Sequence, residues 1–419
     1  MLPISSRNGE SIPLMTALFT ATSATCVTGL TVVDTAQTWS VFGRATILAM
    51  FQIGGLGFMS ITMVFFFVLH KKISISQRLL IMNSWSLRDI QGVVKLLRHV
   101  LFGTLVFQGI GTIILWIRFA PKYGVINGLG RGAFHSVSAF CNAGFDLMGY
   151  DEPFSSLTAY AEDTIVSITM ILLVVAGGLG FFVWEDIWRN RNFKKLHLHS
   201  KMVLTISGLL ILAGWVFFFF AERHNLETIG SMSLQQGVLV SLFQSVMPRS
   251  GGLSVVNQMS FTGASRMVIL LLMLIGGSAG STAGGIKNVT AGLLFLSAVQ
   301  SLRGKSKLSV FGRTIPQQQI ASALSVLVFV FFASFIGSVA IALIQPDLPF
   351  FGVVFEVVSA VATCGLSQGI THNLTDVSMG IIMVLMFLGR VGIITIGIAA
   401  FLRRNNEEKI KHPDTWVMM

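Results

Sequence analysis

Long and short apolar runs alternate along this chain. Runs at about 39–69, 93–119, 164–188, 201–221, from 266 onward and at 319–344 suit helices that span a bilayer. Residues 12–25 make a run of only about 14, a helix of roughly 20 Å that enters a bilayer without crossing it. Its outline, a Phe, then small residues, then a Gly nine or ten positions later, recurs three times: Phe19 to Gly29, Phe134 to Gly144, Phe243 to Gly252 and Phe355 to Gly365. Each stretch predicts a short helix followed by a glycine turn. The pattern divides the chain into four units, at 1–91, 92–200, 201–315 and 316–419. Each unit is an outer helix, a half-membrane helix, a glycine turn and an inner helix, and the first lacks its outer helix. Gly54-Gly-Leu-Gly-Phe58 and Gly177-Gly-Leu-Gly-Phe181 mark two inner helices as copies of one another.

Composition agrees with an all-α polytopic membrane protein. Of 419 residues 53% are apolar and 11% charged, and the mean hydropathy is +0.76, outside the range of soluble domains. A net charge of +11 raises nucleic acid as a partner, but 19 of the 29 Lys and Arg fall in 70–99, 189–201, 303–313 and 403–412, just after inner helices. The positive-inside rule explains them, places the inner-helix C-termini and the C-terminal tail in the cytoplasm of a cell carrying this chain in its inner (plasma) membrane, and removes nucleic acid. Carboxylates such as Asp34, Asp146, Asp151, Glu152, Glu162 and Asp163 gather at the opposite ends. Cys26, Cys141 and Cys364 are too few for a disulfide framework.

Non-helical backbone at membrane depth is tolerated where it is buried in protein or lines a watery cavity. Four such loops around one axis give a ring of carbonyls that can replace a cation's hydration shell, with the C-terminal ends of four short helices aimed at it. Glycine admits positive φ and close approach to an ion. Taken singly, each glycine reads equally as a helix C-cap; four in register favour the ring.

Gly276-Gly-Ser-Ala-Gly-Ser-Thr-Ala-Gly-Gly285 interrupts an expected span. Its five glycines cost about 1 kcal/mol each in a helix. It reads as a kinked small-residue helix, as an unwound loop, or more remotely as a phosphate loop, for which the Gly-Lys-Ser/Thr ending is missing. Arg390, inside an apolar helix, needs a cavity or a partner, either the pore or a carboxylate. Lys287 either donates to the loop before it or snorkels. Arg249, which would block cations if it faced the ion path, is expected to turn toward Glu356. Asp34 and Asp146 suit the rim of an outer mouth or a solvated surface. A soft-metal site at the cysteines is a weaker reading, and His197 and His199 read as surface residues.

Taken together, the four loops, the Gly276–Gly285 stretch and Gly389-Arg390-Val-Gly392 resemble the Trk/Ktr/HKT superfamily of potassium transporters, most nearly the Ktr-type ion-translocating membrane subunit. The resemblance covers essentially the whole chain. It implies a potassium selectivity filter built from Cys26, Val27, Thr28 and Gly29; Cys141, Asn142, Ala143 and Gly144; Ser250, Gly251 and Gly252, after Arg249; and Ala362, Thr363, Cys364 and Gly365. K+ would be held by backbone carbonyls. Glycine at all four positions goes with potassium in this family, and serine in the first loop with sodium. The resemblance further implies an intramembrane gate made of Gly276, Gly277, Ser278, Ala279, Gly280, Ser281, Thr282, Ala283, Gly284 and Gly285, with Lys287 and Arg390. It implies a homodimer in membrane lipid on a cytosolic nucleotide-binding RCK-type ring, where the nucleotide is bound, and sodium as an activator in some relatives. The Gly251-Gly252 pair departs from the family pattern.

No enzyme is expected: the chain shows no His-Glu-x-x-His pattern and no intramembrane aspartate pair. The rival is a secondary transporter of another cation or a small organic solute, built on broken helices. Such folds usually carry inverted repeats, whereas these four units run in one orientation.

Overall fold

Among the residues described by the computed structural model, 2–57, 93–150, 152–305 and 307–391, fourteen α-helices carry the fold. The only strands there are a short hairpin, β1 (Ser309–Val310) and β2 (Arg313–Thr314), with Ser309 opposite Thr314. The second half of the 39–69 run, the expected cytoplasmic end at His70-Lys71-Lys72, the tail with Arg403 and Arg404, and Gly392 lie outside the described residues.

The helices are α1 (Leu14–Cys26), α2 (Thr35–Thr38), α3 (Val41–Leu56), α4 (Val93–Tyr123), α5 (Val125–Cys141), α6 (Thr164–Leu179) and α7 (Phe181–Asn190). They continue as α8 (Leu198–Glu222), α9 (Leu234–Val246), α10 (Gly263–Leu274), α11 (Asn288–Leu302), α12 (Gln317–Ile344), α13 (Phe350–Val361) and α14 (Asp376–Val391). Local chemistry starts several of them. Ser40, Asp163, Ser233 and Thr262 accept bonds from the first-turn N–H groups of α3, α6, α9 and α10, and Ser233 forms a capping box with Gln236.

Three described helices are long and apolar enough to cross a membrane: α4 over Arg98–Tyr123, α8 and α12. Their outward faces stay apolar, as a lipid-facing surface requires: Phe331, Phe335 and Ile336 of α12 are exposed, as are Phe102 and Leu105 of α4. Inside them stand the short helices α1, α5, α9 and α13. The Phe that opens each repeated stretch anchors its helix in the core: Phe19, Phe134, Phe243 and Phe355 are at most 2% exposed.

The expected single helix over 164–188 is two helices, α6 and α7, bent by 93° at Gly180. The cause is a distant partner rather than the glycines alone. The N–H of Phe181 donates to Gly280 O at 2.9 Å instead of continuing the helical ladder, and the freed carbonyls of Gly177 and Gly178 accept from Thr282 N and Ser278 N. In the 39–69 run the helix α3 begins at Val41, and the separate short helix α2 ends at Thr38, before the run.

Candidate functional site

The four short helices end at one place. Two residues before each repeat glycine the backbone turns left-handed, at Val27 (φ 58°), Asn142 (φ 57°), Ser250 (φ 77°) and Thr363 (φ 47°), and each glycine then takes positive φ: Gly29 94°, Gly144 70°, Gly252 68°, Gly365 95°. For a β-branched residue such as Val27 this region is costly, so four copies of the same turn reflect a geometry imposed by the assembled loops. In three loops a serine in the last turns of the helix fastens the strand. Gly29 N donates to Ser23 Oγ at 3.1 Å and Gly365 N to Ser359 Oγ at 3.0 Å, while Ser138 Oγ donates to Phe145 O at 2.6 Å. The third loop is one residue shorter and has no such serine; the amides of Gly251 and Gly252 both return to Met247 O.

The glycines meet in a closed ring. A methyl on Gly29 would lie 2.6 Å from Ala143 O and 2.8 Å from Gly144 Cα; one on Gly144, 3.1 Å from Gly252 Cα; one on Gly252, against Cys364 O and 3.3 Å from Gly365 Cα; and one on Gly365, against Thr28 O and 3.1 Å from Gly29 Cα. The chain order 29, 144, 252, 365 is therefore also the order around the ring. Backbone packs against backbone there with no room for a Cβ.

Residues after each glycine line a cavity of about 480 Å³, whose wall includes Gly29, Gly144, Gly252 and Gly365 together with Asp34, Asp146 and Glu152. Asp34 is held rather than free: Oδ1 accepts from Ala36 N and Gln37 N, and Oδ2 from Phe154 N. Asp146 lies in the segment between α5 and α6. Burial pushes its carboxyl up to about 6, the Met148 N–H works against that, and neighbouring Asp34 adds to it.

Residues before three of the four glycines meet the 276–285 stretch, which is a loop between α10 and α11, closed at its base by Gly276 N to Ile286 O and Ile286 N to Leu274 O. Three of the left-handed residues touch it. Asn142 Nδ2 donates to Thr282 Oγ1 at 2.7 Å, Gly284 N to Ser250 Oγ at 3.2 Å, and the Thr363 side chain lies where a Cβ on Gly284 would sit. Thr282 Oγ1 in turn donates to Phe140 O at 3.0 Å.

Arg390 meets the loop from α14, donating from Nη1 to Thr282 O at 2.6 Å and from Nη2 to Gly54 O and, at 3.2 Å, Gly55 O. Among the described residues its hydrogen-bond partners are carbonyls, not a carboxylate. Lys287 donates to Ala283 O at 2.8 Å and so belongs to the loop. The two Gly-Gly-Leu-Gly motifs now have a physical role: each ends its helix and frees carbonyls, which Arg390 takes on α3 and the loop takes on α6. Gly54, Gly177 and Gly389 also press against Thr25 O, Phe140 O and Val361 O, the carbonyls four residues before the ring glycines of their own units.

Arg249 does not turn toward Glu356. Glu356 is bonded within its own unit, to Ser367 Oγ and Gln368 N, while Arg249 reaches α8 and donates to Ser207 O and Oγ at 3.4 and 3.3 Å. The cysteines do not converge on a metal. Cys141 donates to Gln52 Oε1 and Cys364 to Pro248 O, and among the described residues no cluster of metal-ligating side chains occurs. His199 lies 3.4 Å from Ser278 Oγ in the loop and beside the Phe182 ring, a contact its position in a basic linker gave no hint of.

The family model for TrkH, described as a cation transport protein, matches residues 2–410. The chain is 38% identical to a potassium/sodium uptake protein, NtpJ, of Enterococcus hirae, covering all of this chain and 92% of that protein. It is 37% identical to the Ktr system potassium uptake protein B of Bacillus subtilis, covering 99% of this chain and 91% of that one. Its fold matches the crystal structure of the potassium transporter TrkH from Vibrio parahaemolyticus with a TM-score of 0.71 at 16% identity, over 93% of this chain and 78% of that chain. The chain belongs to the TrkH family of cation transport proteins.

Proposed function

We propose that the chain takes potassium into the cell through the four-glycine ring, with the ring as selectivity filter and the 276–285 loop as gate. The observation that carries this reading is the closure of Gly29, Gly144, Gly252 and Gly365 into one ring at a carboxylate-lined cavity. Cations would gather in that cavity, drawn by Asp146 and Glu152, and exchange water for carbonyls of the loop residues. The left-handed residue two places before each glycine fixes the peptide orientation that such carbonyls need. Potassium is favoured by the names of the relatives from Enterococcus hirae and Bacillus subtilis and by glycine at all four positions. The former name also mentions sodium, so sodium is the cation to test as activator or co-substrate.

Below the ring the loop is tied to three of the four units. Passage requires breaking the bonds from Arg390 and Asn142 to Thr282 and from Gly284 to Ser250. In this reading the cavity faces outward and the loop faces the cytoplasm. The working assembly is a homodimer in membrane lipid, docked on a cytosolic nucleotide-binding ring through the basic linkers.

The test is rubidium and sodium uptake in cells lacking potassium-uptake systems, with the cytosolic partner supplied. Expression of the chain should restore growth on low potassium, and Gly29→Ser should raise sodium entry relative to rubidium. A well-expressed chain that leaves growth unrescued refutes the transport reading; rescue with unchanged selectivity in Gly29→Ser refutes the role of the first loop.

A further inference from the structure

The bend at Gly180 sends α7 away from α6 at 93°. Two contacts fix the level at which it runs. Glu185 Oε1 lies 4.0 Å from His99 Nδ1, one residue inside the α4 span that starts at Arg98, and Asp186 Oδ2 accepts from the N–H of His197, the residue just before α8. α7 therefore crosses the ends of two membrane-spanning helices where they enter the bilayer, the level at which tryptophan collects.

Phe181, Val183 and Asp186 of α7 are buried, and the Trp184 ring packs on that of Phe107 in α4 at 5.0 Å. One turn later Trp188 is 80% exposed, with Ile187 exposed beside it. Phe107, Phe102 and Val106 belong to the exposed apolar side of α4, so Trp188 extends that surface to the membrane boundary. Arg189, Arg191, Lys194 and Lys195 follow, all exposed and none in an ion pair among the described residues. The two carboxylates of α7 do not neutralise them. Asp186 accepts from Asn190 Nδ2 and His197 N, and Glu185 faces His99. An apolar edge beside four unpaired cations, on a helix lying across the ends of spanning helices, is the pattern of an interfacial helix.

We infer that α7 and the turn after it form a binding site for anionic phospholipid headgroups, with Trp188 and Ile187 at the headgroup–acyl boundary and Arg189, Arg191, Lys194 and Lys195 against lipid phosphates. The occupant is lipid rather than the acidic face of another protein, because the site continues the surface that α4 presents to lipid. The other basic linkers remain for the cytosolic ring. The first N–H of α7, on Phe181, donates to Gly280 O, so the helix that lipid holds is also the helix that holds the 276–285 loop. The inference goes beyond the proposed function, since it does not depend on which cation crosses the ring.

The test uses the whole chain, with the cytosolic partner supplied, in nanodiscs of phosphatidylcholine and phosphatidylglycerol. The three native cysteines are buried, so a nitroxide can be attached at Trp188→Cys alone. Oxygen dissolved in the bilayer should relax this label more strongly than an aqueous nickel chelate. In detergent, short-chain phosphatidylglycerol should alter its spectrum at about a tenth of the concentration needed with short-chain phosphatidylcholine. That preference should vanish when Arg189→Gln, Arg191→Gln, Lys194→Gln and Lys195→Gln are combined. Relaxation chiefly by the nickel chelate would place the site in water, and relaxation by neither reagent would place it under a second copy or the cytosolic partner. Either result, or an equal response to the two lipids, overturns the inference.

Discussion

Arg390 donates to the main-chain oxygen of Thr282 at 2.6 Å, and the same guanidinium holds Gly54 and Gly55 of α3. One side chain thus clamps the loop to helices of the first and fourth units. A hydrogen bond to a charged group contributes about 1.5–3 kcal/mol, which shifts a two-state loop equilibrium roughly ten- to a hundredfold. Arg390→Gln should raise rubidium uptake at equal expression by that order. Uptake at or below the native rate would show that the clamp does not limit flux.

Deleting Ser278–Ala283 removes the Thr282 contacts to Asn142, Phe140 and Arg390 at once. It should raise flux at least as far as Arg390→Gln, and adding Arg390→Gln to the deletion should change little, because the two act on one contact. Additive gains would separate the arginine from the loop.

The positive-φ glycines differ sharply in what a methyl would cost. Gly9 has φ +72° and nothing within 4 Å of an added Cβ, so Gly9→Ala should carry only the backbone penalty of about 1 kcal/mol and keep transport intact. Gly365→Ala adds collision with Thr28 O to the same backbone cost and should abolish selective uptake. Rubidium and sodium fluxes of the two variants, side by side, check this; equal behaviour would deny the ring its tightness.

Asp146 supplies a pH dependence of defined sign. Its carboxyl, pushed up to about 6 by burial, loses its charge as the pH of the cavity falls through that value. Half-saturating potassium should therefore rise when external pH drops from 7.5 toward 5.5, a range of about two units centred near the raised value. Asp146→Asn should flatten the profile at its acidic level. Uptake assays on whole cells over that range suffice, and an unchanged profile in the variant would assign the titration elsewhere.

Phe355 is wholly buried while Phe331 on α12 is 63% exposed. Truncating a core phenylalanine costs about 3–5 kcal/mol, so Phe355→Ala should lower the thermal midpoint of the purified chain strongly, and Phe331→Ala should barely move it. Comparable losses would contradict the burial pattern.

Much of this architecture was legible because the signals were repeated. The opening Phe, the small-residue run and the glycine occur four times, and the break at 276–285 follows from five glycines where a helix was due. The left-handed turn at Val27 was not legible. A valine argues against positive φ, and only the neighbouring loops, which meet at the ring, force it. The bend at Gly180 depends on Gly280 O, a hundred residues away, so local pattern extended the helix through it. Arg249 was misdirected because repeat position ignores that Glu356 is already bonded by its own loop and that the third stretch is one residue short. His199 reads as a surface residue from the sequence, since nothing in a basic linker marks a contact with Ser278.

The central claim is that the four glycines surround the ion path. Crystals of the whole chain grown in rubidium and measured at its absorption edge test it directly. Anomalous density on the axis enclosed by Gly29, Gly144, Gly252 and Gly365 is the result predicted; ordered rubidium elsewhere in the protein, with none at the ring, would contradict it.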